Sequence, residues 1–130
     1  MKLHHVGIAV NDLEQAAEPY LRLGYRLEAQ DTVESQGVKV YMLNSKEDRL
    51  ELLAATRPES AIAKFIEKRG PGLHHLAFAT PDIRAELAKL AAEGTPLIDT
   101  SPRPGFGGHL VAFVHPRWSG GVLVELVEEG

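Results

Sequence analysis

The chain has 130 residues, a length that suits one domain better than two. Its net charge of −4 at pH 7 argues against a nucleic-acid partner, and its lack of cysteine excludes disulfides, iron–sulfur clusters and thiolate zinc sites. No apolar stretch is long enough to span a bilayer, and the first residues lack the pattern of a secretion signal. We therefore expect a cytoplasmic protein that acts on a small molecule.

The first half of the sequence predicts a strand, a helix and three more strands. Residues 3–10 alternate so that one strand face is apolar and the other carries His5 among small residues. Asp12 has the position of a helix N-cap, and the helical pattern that follows ends near Gly24. Turn-forming residues then separate three predicted strands, at residues 25–30, 38–43 and 49–54.

A connector over residues 57–71 separates this half from a second one. It contains a short predicted helix, capped by Ser60 and ended by Gly70. The cycle then restarts with a strand at 73–79, a helix at 82–93 and strands near 96–100, 109–114 and 121–128.

The two halves are copies of one pattern. Residues 73–80 repeat residues 3–10 seventy positions later, and the copies stay in register through the helix that follows. Later in each half, the segment 50–52 corresponds to the segment 124–126, with a Glu at its centre. The sequence therefore predicts two tandem βαβββ modules, at about residues 1–56 and 72–130, within a single α+β domain.

Four repeated residues form a candidate metal site. His5, Glu51, His75 and Glu125 are each predicted to point away from the apolar, helix-facing side of their strands. Two imidazoles and two carboxylates suit Co²⁺, Mn²⁺, Ni²⁺, Zn²⁺ or Fe²⁺ and leave positions for water or substrate oxygens. Any one of these residues alone has an ordinary structural interpretation, whereas four at matched positions of a repeat favour a shared ion.

The remaining histidines have a structural interpretation. His4 and His74 fall on the helix-facing side of their strands, where we expect them to be packed and hydrogen-bonded. His109 and His115 have no counterpart in the first half and are expected at loops or strand ends.

Seven segments of the chain are similar to a known family: residues 5–10, 50–53, 58–65, 72–75, 107–108, 113–116 and 120–126. Through them the chain resembles the vicinal-oxygen-chelate (glyoxalase/bleomycin-resistance) superfamily, and within it the methylmalonyl-CoA epimerases. The ligand pattern is shared by many enzymes of the superfamily, whereas the helical connector and the carboxy-terminal segment are similar to the epimerases.

The resemblance implies a fold, a ligand set and a reaction. The modules of this superfamily form a cupped mixed sheet around a metal ion, and its members commonly form homodimers. The implied ligands are His5, Glu51, His75 and Glu125, with Co²⁺ expected first and Mn²⁺, Ni²⁺ or Zn²⁺ as alternatives. The implied substrate is an acyl-CoA, and the implied reaction is epimerisation of methylmalonyl-CoA at C2 through a metal-stabilised enolate.

One position departs from the epimerase pattern. Some epimerases have Gln at the position of Glu51 and a non-ligand Glu on the strand aligned with residues 38–43, where this chain has Val40. Since valine cannot move a proton, Glu51 and Glu125 are the candidate acid/base groups on the two faces of the enolate. Glu125 matches an epimerase base, and Glu51 is inferred as its partner.

Two other functions are open from the sequence. One is a different metal-dependent enzyme of the superfamily, such as a glyoxalase I acting on a glutathione hemithioacetal. A ring-cleaving dioxygenase is disfavoured, because it typically has two His and one Glu as ligands in a longer chain. The other is a metal-free small-molecule binding protein, against which the four intact ligand positions argue. Lys39, Lys64 and Arg103 are candidates for contacts with phosphates or a substrate carboxylate, although surface cations are usually only solvated.

Overall fold

The computed structural model describes residues 1–129, with the element order βαβββ in each half and one helix between the halves. The first half contains β1 (Lys2–Ala9), α1 (Leu13–Arg22), β2 (Arg26–Val33), β3 (Val38–Asn44) and β4 (Arg49–Ala55). The connector contains α2 (Ala61–Arg69). The second half contains β5 (Gly72–Thr80), α3 (Ile83–Ala92), β6 (Arg103–Pro104), β7 (Leu110–Val114) and β8 (Leu123–Glu128).

Both halves pair their strands in the same way. In the first, β1 lies parallel to β4, and β4, β3 and β2 are antiparallel neighbours in the order β2-β3-β4-β1. In the second, β5 lies parallel to β8, and the order is β6-β7-β8-β5. The predicted α+β class with two βαβββ modules and a mixed sheet is therefore confirmed.

Side-chain caps begin the helices where the sequence predicts them. The carboxylate of Asp12 accepts the backbone N–H of Gln15 at 2.9 Å, and that of Asp82 accepts the N–H of Ala85 at 3.0 Å. Each cap satisfies a backbone donor that the helix itself leaves unpaired. The cap of α2 is Ser60, whose hydroxyl accepts the N–H of Ala63 at 3.1 Å.

Each half packs its helix against its own strands. Leu52 of β4 is fully buried in the core beneath α1, and Leu126 of β8 is 3% exposed in the core beneath α3. Since neighbouring residues of a strand point to opposite faces, Glu51 and Glu125 point away from these helices. The core of the first half comprises Val10, Leu13, Ala17, Leu43 and Leu52, and that of the second comprises Ile83, Leu87, Ala112 and Leu126.

The prediction of a strand near residues 96–100 is wrong. This segment makes a single bridge, from Leu97 to Val114, and the short strand β6 follows only at Arg103–Pro104. Prolines at positions 96 and 102 lack the N–H that a ladder requires. The N–H groups of Ile98 and Asp99 both donate to the carbonyl of Phe113, so the chain bends here rather than extending along β7.

The connector packs with the first half. Its helix α2 contacts β4, and the chain divides into two compact units, residues 5–74 and residues 1–4 with the chain from residue 75 onward. The organisation of residues 1–130 as one domain stays a prediction, and residue 130 lies outside the described residues. None of the helices in residues 1–129 combines the length and apolar character needed to cross a membrane.

A hydrogen-bonded tyrosine ties the turn between β3 and β4 to the start of β2. The Tyr25 hydroxyl donates to Asp48 Oδ1 at 2.7 Å, and the Ser45 hydroxyl donates to the same oxygen. These bonds, that from Tyr25 first, hold the pKa of the Asp48 carboxyl below its usual value, and the same bond raises the pKa of Tyr25. The pKa shifts of Asp48 and Tyr25 therefore both result from the hydrogen bonds of this turn.

Replacing Leu52 with Ala should lower the free energy of unfolding by about 2–5 kcal/mol, because truncation of a fully buried leucine leaves a cavity. Urea denaturation followed by circular dichroism measures this loss. Leu27→Ala is the control, since Leu27 is 43% exposed on β2 and should cost about 1 kcal/mol or less. Equal losses in the two variants would contradict the assignment of Leu52 to the core.

Candidate metal centre

The first half buries an imidazole beside a carboxylate. Parallel pairing of β1 with β4 places Gly7 opposite Glu51, and His5 lies two residues before Gly7 on the same strand face. His5 Nε2 lies 3.4 Å from Glu51 Oε1, and the two side chains are 3% and 7% exposed. The absence of a side chain at Gly7 leaves room for the carboxylate on this face.

The second half repeats the pair. Here β5 lies parallel to β8, Ala77 is opposite Glu125, and His75 lies two residues before Ala77. His75 Nε2 lies 3.0 Å from Glu125 Oε1, and the side chains are 2% and 8% exposed. The same strand register therefore produces the same contact in both copies.

The structure brings together all four residues that the sequence predicts as ligands. One ligand atom from each of His5, Glu51, His75 and Glu125 lies within 4.8 Å of the other three. Nitrogen and oxygen ligands bind ions such as Zn²⁺ at about 2.0–2.2 Å, so ligands on opposite sides of one ion are about 4.2 Å apart. The donor types suit a single divalent cation, and because separations of up to 4.8 Å exceed that span, the ligand atoms would move slightly inward on binding it.

An apolar side chain lies opposite each carboxylate on this face. Met42 lies directly opposite Glu51 on β3, and Phe113 lies directly opposite Glu125 on β7. Phe113 also meets His75 edge to face, with ring centroids 5.9 Å apart. Charged groups buried in such surroundings are costly unless they pair with each other or with an ion.

Val40 occupies the same strand face as Glu51. It is opposite Leu53, which lies two residues after Glu51, and it is 1% exposed. The residue at this position therefore lies on the face of the candidate site and cannot exchange a proton.

The other histidines lie outside the four-residue cluster. His4 Nε2 is 3.2 Å from Glu129 Oε2, and the ring of His74 packs edge to face against Phe65 of α2, with centroids 4.8 Å apart. His115 accepts the N–H of Arg117 through Nδ1 at 3.1 Å and so caps a turn. His109 is exposed. These contacts agree with the structural roles that the sequence predicts.

The sequence analysis did not identify Phe113, which lies beside His75 and Glu125, or Asp99, which contacts Phe113. Phe113 has the position along its strand that is expected of a residue on the same face as Glu125. That signal is indistinct in the sequence because Phe113 lies within a run of apolar residues. Asp99 accepts the N–H of Phe113 through Oδ2 at 2.8 Å and lies 3.4 Å from Arg103 Nε, and no sequence pattern marks either contact.

Two proteins are similar to this chain over nearly its whole length. The Bacillus subtilis protein YqjC, which is uncharacterised, is 40% identical over 98% of this chain and 91% of its own length. The ethylmalonyl-CoA/methylmalonyl-CoA epimerase of Cereibacter sphaeroides is 37% identical over 96% of each chain.

A solved structure is similar over the whole chain. A variant of the Streptomyces coelicolor methylmalonyl-CoA epimerase, in complex with 2-nitronate-propionyl-CoA, has a TM-score of 0.93 at 35% identity. The alignment covers 100% of this chain and 95% of that one. A family model described as the glyoxalase/bleomycin resistance protein/dioxygenase superfamily matches residues 4–113. The chain therefore belongs to the glyoxalase/bleomycin resistance protein/dioxygenase superfamily.

Proposed function

We propose that this protein is a metal-dependent epimerase that inverts C2 of methylmalonyl-CoA, as a homodimer. The observation that carries the proposal is the pair of buried His–Glu contacts at matched positions of the repeat, in a chain whose relatives include named methylmalonyl-CoA epimerases. The ligand set argues against a metal-free binding protein, because four buried ionisable groups have no evident use there.

The reaction requires stabilisation of negative charge next to C2. Removal of the C2 proton from a malonyl thioester moves charge onto the thioester oxygen. A divalent ion held by His5, Glu51, His75 and Glu125, with Co²⁺ proposed first, would stabilise that charge. Met42 beside Glu51 and Phe113 beside Glu125 would each keep water from the neighbouring carboxylate and so strengthen its electrostatic interactions.

We assign the two proton transfers to Glu125 and Glu51. Inversion requires an acid/base on each face of the enolate, and these carboxylates come from equivalent strands of the two modules. Val40 leaves no carboxylate at the position that some epimerases use. A carboxylate that also binds a cation is a weaker base than a free one, because the cation stabilises its ionised form. Each Glu, if it held the ion, would therefore have to be only loosely held by it in order to accept the C2 proton.

The first test is the reaction itself. Protein loaded with Co²⁺ in D₂O should incorporate deuterium at C2 of methylmalonyl-CoA and invert that centre, as followed by NMR and chiral analysis. The matched comparison is methylglyoxal with glutathione, which tests the glyoxalase I alternative. Turnover of the hemithioacetal without exchange at C2 would overturn the proposal in favour of that alternative.

Replacing His75 with Ala should remove most of the bound metal, because one of two imidazole ligands is lost while the helix-facing core is untouched. Metal content is measured by mass spectrometry of the purified protein, with His109→Ala as the exposed control. In the wild type, metal affinity should fall as the pH is lowered, because the ligands become protonated. Full metal content in His75→Ala would show that His75 is not a ligand.

The substitution Glu125→Gln keeps the size of the side chain and one potential ligand oxygen, but removes proton transfer. It should lower the rate of epimerisation on the order of a hundredfold or more while retaining metal. Glu51→Gln is the sharper comparison, since some epimerases have Gln at that position. A wild-type rate in Glu51→Gln would limit Glu51 to metal binding and require another proton donor.

A further inference from the structure

The repeat makes the metal ligands of the two halves equivalent, whereas the proposed substrate has two different ends. His5 corresponds to His75 and Glu51 to Glu125, with the same strand register in each half. A malonyl thioester has an uncharged thioester carbonyl on one side of C2 and a carboxylate on the other. The ligands alone therefore give little preference for one orientation, and discrimination has to come from positions where the halves differ.

One such difference lies on the ligand-bearing faces. Antiparallel pairing places Asp31 of β2 opposite Val40, and the equivalent pairing places Arg103 of β6 opposite Val111. Val40 and Val111 are themselves opposite the residues two positions after Glu51 and Glu125, so all of them share the face of those carboxylates. At equivalent positions, the first half thus has a negative side chain and the second a positive one.

The ring of Phe113 contacts both Arg103 and His75. Its Cζ is 5.5 Å from the centroid of the Phe113 ring, and that ring meets His75 edge to face at 5.9 Å. The ring supports the guanidinium through a cation–π contact. An anion bound by Arg103 would therefore lie beside the candidate metal ligands of the second half.

The guanidinium is only partly engaged by its own protein. Arg103 Nε lies 3.4 Å from Asp99 Oδ1, without the alignment of a hydrogen bond, and the other oxygen of Asp99 accepts the Phe113 N–H. The Arg103 side chain is 42% exposed, and within residues 1–129 its guanidinium makes no hydrogen bond. Asp99 thus holds the Nε side of the group, while the two terminal nitrogens have the fork geometry that binds a carboxylate.

The other two cations that the sequence analysis singled out are placed differently. Lys39 alternates with Val40 on β3 and so points to the helix-facing side, and Lys64 is exposed on α2. Arg103 is the one of the three that shares the face of Glu125.

We propose that Arg103 binds the free carboxylate of the substrate and thereby selects 2-substituted malonyl thioesters over neutral acyl thioesters and fixes their orientation. This inference rests on the proposed function. The phosphates of CoA offer similar anionic oxygens, but the position of Arg103 beside Phe113 and His75 favours the group attached to the reacting carbon.

Direct binding separates the two anions. Methylmalonyl-CoA and propionyl-CoA share every CoA phosphate and differ in the carboxylate, so their dissociation constants are measured by calorimetry with the Co²⁺-loaded protein. Arg103→Gln should weaken methylmalonyl-CoA binding on the order of tenfold to a hundredfold, and change propionyl-CoA binding by less than about threefold. Arg84→Gln, which removes an exposed arginine of α3, should change neither constant.

Equal weakening for the two thioesters would assign Arg103 to the phosphates and overturn the inference, as would no weakening for either. Metal content and thermal midpoint are measured for each variant, so that loss of the ion or of the fold is recognised. Should Arg103→Gln fail to fold, Arg103→Lys provides the test, because lysine keeps the positive charge but lacks the two terminal guanidinium nitrogens that bind a carboxylate together. It should weaken methylmalonyl-CoA binding selectively, and unchanged affinity would overturn the inference. Failure of the proposed function is distinct, since it appears as absence of C2 exchange in the wild type.

Discussion

The contact between an imidazole and a carboxylate that are both excluded from water is the constraint on which the site depends. Either group buried alone as an ion in apolar surroundings would cost several kcal/mol, so each needs a partner or a cation. His5 with Glu51 and His75 with Glu125 meet this need, at 3.4 and 3.0 Å. Without an ion the carboxylates depend on their neighbours for compensation, and a bound cation would favour the folded chain because the unfolded chain has no preformed site.

The helices and their cores make this burial possible. Strand alternation puts a leucine on the opposite face from each carboxylate, and Leu52 and Leu126 pack under α1 and α3. The apolar area that these leucines bury offsets the cost of placing charge on the other face. Small residues complete the arrangement, since Gly7 and Ala77 lie opposite the carboxylates and leave space beside the imidazoles.

Much of this was predictable because it depends on short-range patterns. The alternation around His5 and Glu51, the helix cap at Asp12 and the seventy-residue repeat are local or periodic, and they predict the modules and the four ligands. The region after α3 was not predictable in the same way. Its prolines break the strand pattern, and the approach of Arg103 to Phe113 depends on how the bend and the short strand β6 are placed.

The proposed reaction gives a reason for both the repeat and its departures. Epimerisation connects two configurations at C2, so the proton leaves one face and returns to the other, and the reverse reaction exchanges these roles. Equivalent carboxylates such as Glu51 and Glu125 suit a reaction whose two directions make the same demands. The substrate itself is not symmetric, and a site with identical halves would bind it in two orientations, only one of which directs the CoA moiety correctly. Opposite charges at Asp31 and Arg103 would select one orientation without disturbing the equivalence of the ligands.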